Sequence, residues 1–405
     1  MLQRLLIGFC FFRSSYRKLS ITISIVVVLC FTCSLLFEIE YAPKKLVYKH
    51  VRFDEKHECV ENATTSYNGA KKLILFYTTI FEDLPIFHTD TLRWRCCQPF
   101  NCHITTDKSR FGESDAVVFH ARDLPSAEHM PLKERRTSQR WIYFTMECPY
   151  YSKIIPKDYN GMFNWTMTYD RRSDIHQPYG SYTKKLIEDK ASKDMLTHFP
   201  SSCLGMQRNF ATGKDKLLVL VQSHCKTIDG IRENFFHALN KIVKVDVYGK
   251  CGGVFGRVAC PRWSKKCAEK LKRYKFYISL ENSICEDYIT EKYWKAAFDI
   301  NAVPIVFGLS FFKELAIPGS YIDASAFPTL NGLVEYIKYL DKNNTAYNEY
   351  FAWRQHYKVT NLEPWPCRLC KMLHNKSLPL KTYQDFDEYF DAEKVCRSLS
   401  RTIIF

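Results

Sequence analysis

The chain has 405 residues, of which 46% are hydrophobic and 25% charged, with a formal net charge of +15. That size holds two ordinary domains or one large one, and the apolar content excludes an intrinsically disordered chain. The basic balance suits an anionic ligand such as a nucleotide sugar, a polyanion or a membrane surface, and the lack of a basic–aromatic platform or zinc-finger spacing argues against nucleic-acid binding.

Residues 1–18 are a basic tail carrying Arg4, Arg13, Arg17 and Lys18. Leu19–Phe37 follows without a formal charge. As a helix it spans roughly 28 Å, the hydrocarbon thickness of a bilayer. Basic residues before this run, and Glu38 and Glu40 after it, predict a cytoplasmic N-terminus, an uncleaved single-pass anchor and translocation of the rest. Beyond the run, sequons stand at Asn62, Asn164, Asn343 and Asn375 as candidate glycosylation sites. Once Cys10, Cys30 and Cys33 are set aside, an even number of the 17 cysteines remains. Both features fit an oxidising, glycosylating compartment. Residues 38–70 read as a polar lumenal stalk.

From Lys72 onward, short apolar runs predict strands at Leu73–Tyr77, Ala116–Phe119, Trp141–Thr145, Leu217–Val221, Val243–Tyr248, Phe276–Leu280 and Val303–Phe307. Amphipathic stretches at Ile228–Lys241 and Asp287–Phe298 predict helices between them. Strands alternating with helices indicate parallel α/β sheets. A charged region near 185–215 divides two such series, which sets domains at 71–210 and 211–365 and a C-terminal segment at 366–405.

The most informative stretch is Phe276–Gly308, FYISLENSICEDYITEKYWKAAFDINAVPIVFG. A strand, a polar loop and a helix from Asp287 follow one another, so a helix N-terminus faces the carboxyl edge of a sheet, a favourable place for a pyrophosphate. In that helix Tyr288, Glu291 and Lys292 share a face at i, i+3 and i+4. On spacing alone, Glu291 and Lys292 read equally as a solvated pair and as a ligand site.

This stretch resembles the signature of the α1,3-fucosyltransferases, glycosyltransferase family ten, whose typical form is FYLxFENSxxxDYxTEK…VPVVxG. Trp141–Pro149 (WIYFTMECP) resembles the family's WVWxxMESP. Gly161–Trp165 with Ser173–Gly180 (GMFNW…SDIHQPYG) resembles GxFNW…SDxxxPYG, and the likeness runs over roughly residues 70–375. It implies a GT-B architecture, two Rossmann-like domains facing a cleft, the later one holding GDP-fucose and the earlier one an N-glycan or lactosamine-type acceptor. It implies that Arg232 and Lys292 contact the pyrophosphate and Glu291 the ribose, with Ser223, Tyr277, Asn282 and Tyr288 lining the nucleotide pocket. With the predicted topology it implies a Golgi membrane protein, type II, with a lumenal catalytic domain.

GDP-fucose carries its sugar in a β linkage and this family makes α-linked products, so the resemblance implies inversion in one displacement. That reaction needs a base for the acceptor hydroxyl and positive charge for departing GDP. Glu147 is the expected base, since it ends an apolar strand and matches the acid of the MESP block. The alternative for it is a strand-end carboxylate that caps a loop. Glu281 is the second choice and is expected to orient fucose. No metal is chemically required; stimulation by manganese or magnesium is left open, and so is a homodimer.

Several positions depart from the family pattern. Leu280 stands where Phe is common, His224 where Asn is usual, Asn301 where Gly precedes VPVV, and Asp170–Asp174 (DRRSD) changes the charge order of RxDSD. Cys367 and Cys370 form a CxxC, and with no second CxxC a zinc site is disfavoured. The resemblance implies instead two disulfide anchors reaching back to Cys102 and to one of Cys96 or Cys97. Cys225, Cys251, Cys260 and Cys267 are candidates for local bridges, and Cys148 and Cys285 for free buried thiols near the site. Asp385-x-Asp387 mimics the metal motif of the other main glycosyltransferase fold but reads as a surface charge cluster.

Overall fold

Five short strands of the first half pair in parallel because their side chains can be buried on both faces. In the computed structural model these are β1 (Lys72–Phe76), β2 (Cys102–Thr105), β3 (Ala116–His120), β4 (Arg140–Phe144) and β5 (Trp165–Met167), in the spatial order β2-β1-β3-β4-β5. The structure describes residues 70–81, 101–152, 154–185, 208–225, 230–251, 265–308, 314–360 and 362–397, all within one compact unit. The expected tail and anchor at 1–18 and Leu19–Phe37, the stalk, and Asn62, Cys96 and Cys97 lie outside them. Among the described residues no helix is long and apolar enough to cross a membrane.

The period of two sorts the first sheet's side chains cleanly. Leu75, Val117, Phe119, Trp141 and Tyr143 fill one face, and Ile74, Phe76, Val118, Ile142 and Phe144 the other. The crossovers from β3 to β4 and from β4 to β5 hold only single 3-10 turns, such as Ala121–Asp123 and Pro156–Tyr159. Helical cover arrives from the far end of the chain instead. Trp365 and Leu369 close one face and Phe386, Tyr389 and Phe390 the other. The C-terminal segment is thus part of the first core, and the Cys102–Cys370 disulfide adds to that packing.

The second half repeats the winding. β7 (Lys216–Val221), β8 (Asp246–Tyr248), β9 (Tyr274–Ile278), β11 (Val303–Val306) and β12 (Ile322–Asp323) form a parallel sheet ordered β12-β11-β9-β7-β8. Counted within each half, both sheets run 2-1-3-4-5, a doubly wound order whose ligands sit at the carboxyl ends of the strands. Helices α1 (Ile231–Ile242) and α2 (Leu330–Lys342) cover this sheet through Phe235, Leu239, Leu333 and Ile337. All seven predicted strands are present. β2, β5 and β12 were not predicted; they are two to four residues long, too short to show a period.

Two antiparallel pairs stitch distant segments: β6 (Ser181–Lys184) with β13 (Tyr357–Thr360), and β10 (Ile284–Cys285) with β14 (Cys396–Arg397). Gly180, just before β6, packs on the ring of Trp294 so closely that a Cβ there would clash with it. The helix expected from Asp287 is corrected. Asp287 has φ 57°, which no α-helix accepts, and the helical turns run as a π-helix over Lys292–Ala297. Tyr288 therefore precedes the helix and does not share its face with Glu291 and Lys292. Asn301, which stands where the family has Gly, adopts the left-handed conformation, φ 53°, and its side chain accepts from Arg354 at 2.9 Å.

Asn164 is also corrected as a glycosylation site. It is 5% exposed; its Oδ1 accepts from the Trp141 amide at 2.8 Å and its Nδ2 donates to the Lys381 carbonyl at 2.7 Å. The folded protein leaves no room for a glycan on that nitrogen. Asn343 caps the helix that follows it through Oδ1, and Asn375 is exposed; both remain compatible with a sugar on Nδ2.

Candidate active site

Glu147 emerges from the carboxyl end of β4. Thr145 shapes the turn, its hydroxyl accepting from the Glu147 amide at 3.0 Å. The half-buried carboxylate reaches across to the second half, where Oε2 accepts from Tyr288 Oη at 3.2 Å and from Asn282 Nδ2 at 3.4 Å. The Tyr288 ring packs tilted against Tyr169 at 4.8 Å and edge-on against Tyr179 at 6.4 Å. Burial, then the charge of Glu147, holds its phenol well above the ordinary value, so it stays a hydrogen-bond donor. Tyr179 in turn donates to the Met146 carbonyl at 2.6 Å.

The second sheet's switch point, between β7 and β9, carries the cationic part of the site. Arg232 lies in the first turn of α1, 5% exposed, and donates through Nη2 to the His224 carbonyl at 2.6 Å. Its Nε is buried with Glu233 Oε1 at 3.6 Å as an ion-pair partner but no hydrogen bond among the described residues, and Asn282 Oδ1 is buried without a hydrogen-bond partner among them. Both residues line one cavity with Glu281, Ser283 and Phe307. Unsatisfied buried donors and acceptors facing a cavity are what a polar ligand would complete.

Glu281 has both oxygens occupied. Oε1 accepts from the Thr290 amide at 2.8 Å, and Oε2 from the Thr290 hydroxyl at 2.7 Å and Lys292 Nζ at 3.1 Å. Its carboxylate therefore fixes the start of the helix and aims Lys292, while Glu147 is the less engaged acid. Burial opposes the charge on Lys292, but Glu281 and Glu291 more than offset it and hold the ammonium above its ordinary value. Glu291 approaches Lys292 at 3.6 Å.

Neither Tyr277 nor Ser223, both expected at the nucleotide, is among the residues lining that cavity. The ring of Tyr277 packs with Val219, Tyr248 and Tyr274, and its buried phenol feels the charges of Lys292, Glu291, Glu281 and Arg232. Ser223 is exposed on the loop after β7. That loop is pinned by the Cys225–Cys251 disulfide and by Gln222, whose Nε2 donates to the His224 carbonyl at 2.5 Å. Gln222 was missed by sequence reasoning, and so was Arg171, which binds Asp287 through its backbone amide at 2.9 Å and its Nε at 3.0 Å. A polar residue just past an apolar strand end was the available signal for the first. No pattern signals the second.

Among the cysteines, Cys102 pairs with Cys370 as implied, and Cys367 is disulfide-bonded to a residue outside those described. Cys285 is not a free thiol: it pairs with Cys396. Cys148 is free and buried. Burial pushes its thiol up to about 12, with a contribution from Glu147, which makes it inert at neutral pH. Asp385 serves as a helix cap, accepting from the Glu388 amide at 3.0 Å.

Comparisons with known proteins identify the family. The family profile described as "Glycosyltransferase family 10 (fucosyltransferase) C-term" matches residues 211–389, and "Fucosyltransferase, N-terminal" matches residues 69–180. The chain is 32% identical over 316 residues to alpha-(1,3)-fucosyltransferase C of Drosophila melanogaster, covering 75% of this chain and 72% of that protein. It is 34% identical over 276 residues to a 3-galactosyl-N-acetylglucosaminide 4-alpha-L-fucosyltransferase of Bos taurus, covering 67% and 68%. A crystal structure of an alpha1,3-fucosyltransferase with GDP-fucose superposes with a TM-score of 0.48 at 17% identity, covering 79% of this chain and 95% of that one. The chain belongs to glycosyltransferase family 10, the fucosyltransferases.

Proposed function

We propose that the protein is an inverting α1,3-fucosyltransferase of GT-B type that moves L-fucose from GDP-β-L-fucose to N-acetylglucosamine of glycoprotein or glycolipid glycans. The observation that carries the proposal is the meeting of Glu147 with Tyr288 and with Asn282, which itself lines the cavity shared by Arg232 and Glu281. Glu147 accepts the acceptor hydroxyl's proton as that oxygen attacks the anomeric carbon of fucose. Lys292 and Arg232 neutralise the diphosphate as the glycosidic bond breaks, so the departing charge meets fixed cations. Glu291, at the helix start, binds the ribose hydroxyls. On this reading the chain is a single-pass type II Golgi membrane protein anchored by residues 19–37.

The test is transfer by a secreted fragment starting near Tyr41, given GDP-fucose and a panel of N-glycan core and type 1 and type 2 lactosamine acceptors, with and without EDTA. A deoxyhexose mass gain that disappears in Glu147→Gln supports the reaction and the base. Linkage analysis of the product separates O3 from O4 attachment, which the bovine relative's name makes the competing regiochemistry. A folded protein that binds GDP and transfers to nothing in the panel favours a glycan-binding relative without turnover.

A further inference from the structure

The loop that faces the base is held from behind by the end of the chain. After β9 the backbone passes through Asn282, turns through β10 and reaches Tyr288. Cys285 therefore lies midway between the two residues that donate to Glu147. β14 pairs with β10, the Glu286 amide donates to the Val395 carbonyl at 2.9 Å, and Cys285 is disulfide-bonded to Cys396. The segment just before β14 is rooted in the first sheet, where Phe386 and Phe390 pack on Tyr143 of β4 at 4.8 and 5.2 Å. β4 is the strand that presents Glu147. A short path thus runs from the base's own strand, by ring packing to the C-terminal segment and then by the disulfide, to the loop carrying its two hydrogen-bond donors. Among the described disulfides, Cys102–Cys370 lies within the first half's core and Cys225–Cys251 within the second half.

We infer that the Cys285–Cys396 disulfide is a positioning element of the transfer reaction, a clasp that holds Asn282 and Tyr288 against Glu147. The inference rests on the proposed function. The experiment compares wild type with Cys285→Ser/Cys396→Ser in the full chain. Without the clasp kcat falls about tenfold or more, the scale of one lost hydrogen bond to a charged group, while the Kd for GDP rises by clearly less, because Asn282 also lines the cavity but Arg232 and Lys292 are held independently of the clasp. Tyr288→Phe then costs much less in the clasp-free protein than in wild type, because both changes remove one interaction. Cys102→Ser/Cys370→Ser lowers the thermal midpoint and leaves kcat in place. If the serine pair does not fold, Cys285→Ser in a chain ending at Val395 removes the clasp and keeps the Phe386–Phe390 cover. A readout independent of turnover comes from Cys148, which shares one apolar cluster with Cys285, Tyr288 and Cys396. Its alkylation by N-ethylmaleimide, silent in wild type, becomes measurable once the clasp is gone and GDP binding persists. A wild type inactive on every acceptor sinks the transferase reading and leaves the alkylation arm to decide the clasp. Unchanged kcat and unchanged Cys148 protection without the disulfide, or equal losses of kcat and GDP affinity, overturn the inference.

Discussion

The two halves share one winding, 2-1-3-4-5, yet they complete their cores in opposite ways. The second sheet is covered by helices that follow its own strands, α1 and α2. The first borrows both covers from residues 365–390. The division of chemistry follows the same line: the second half holds Arg232, Glu281 and Lys292, whereas the first contributes one acid, Glu147. A repeated winding therefore fixes where a site can form, at the carboxyl edges, without fixing what stands there or what supports it.

The largest effect follows from breaking the borrowed cover. A chain ending at Pro364 loses Trp365, Leu369, Phe386 and Phe390. Each large core side chain is worth about 2–5 kcal/mol against a domain stability of about 5–15. No folded first half is expected, read as loss of secreted protein and protease resistance of the remainder. Recovery of an intact, GDP-binding fragment in which residues 70–180 resist proteolysis would show the cover to be dispensable.

The next comparison separates the halves by what they do. Glu147→Gln is expected to lower kcat by about 10²–10⁴, the usual range for a general base, and to leave GDP binding as it is. Lys292→Met is expected to weaken GDP about tenfold or more through loss of a charge-assisted phosphate contact. Calorimetry with GDP beside transfer kinetics checks both. Equal weakening of GDP by the two changes would mean that the acid and the cation do not play separate parts.

Gly180→Ala tests the packing that joins the halves. The added methyl enters the Trp294 ring, an overpacking cost of about 1–3 kcal/mol, seen as a lower thermal midpoint. Trp294→Leu in the same chain is expected to return part of it. A smaller effect concerns the altered charge order. Asp170 is held by Arg172 at 2.5 and 3.0 Å, so the Arg…Asp order of RxDSD appears here with the signs exchanged. Arg172 is half exposed but Asp170 is buried, and Arg172→Ala, which keeps the backbone amide on Asp170 and loses the guanidinium, is expected to cost about 1–2 kcal/mol. Arg172→Asp costs more, and Asp170→Arg/Arg172→Asp recovers most of that loss in chemical denaturation. A double variant as unstable as Arg172→Asp would show that the pair is not what matters at these positions.

The sheets were legible because strands such as LLVLV and AVVF are continuous apolar runs. The candidate site was legible through the resemblance of the stretch from Glu281 to Lys292 to a family signature, since spacing alone left Glu291 and Lys292 equally a solvated pair. The first half's cover was hidden for a definite reason. Phe386, Tyr389 and Phe390 stand at i, i+3 and i+4, a helical stripe, but Asp385, Asp387 and Glu388 lie between and beside them and make the segment look like a solvated tail. The backbone of Asp287 was hidden as well, since its left-handed turn is stabilised from 116 residues away by Arg171. Asn164 illustrates the converse: a sequon is visible in three letters, and its burial depends on a carbonyl 217 residues distant.

That last contact has a consequence for the order of events in synthesis. A chain made at about 5–20 residues per second delivers Phe386 on the order of 10–50 seconds after β4. Until Trp365 emerges near the end of that interval the first sheet has neither of its two covers, while the second can close as its own helices emerge. On the proposed lumenal route Asn164 spends the same interval unburied and within reach of glycan transfer. A sugar added then occupies the space that Lys381 must later fill, and the late arrival of the tail turns a silent sequon into a point where maturation can fail.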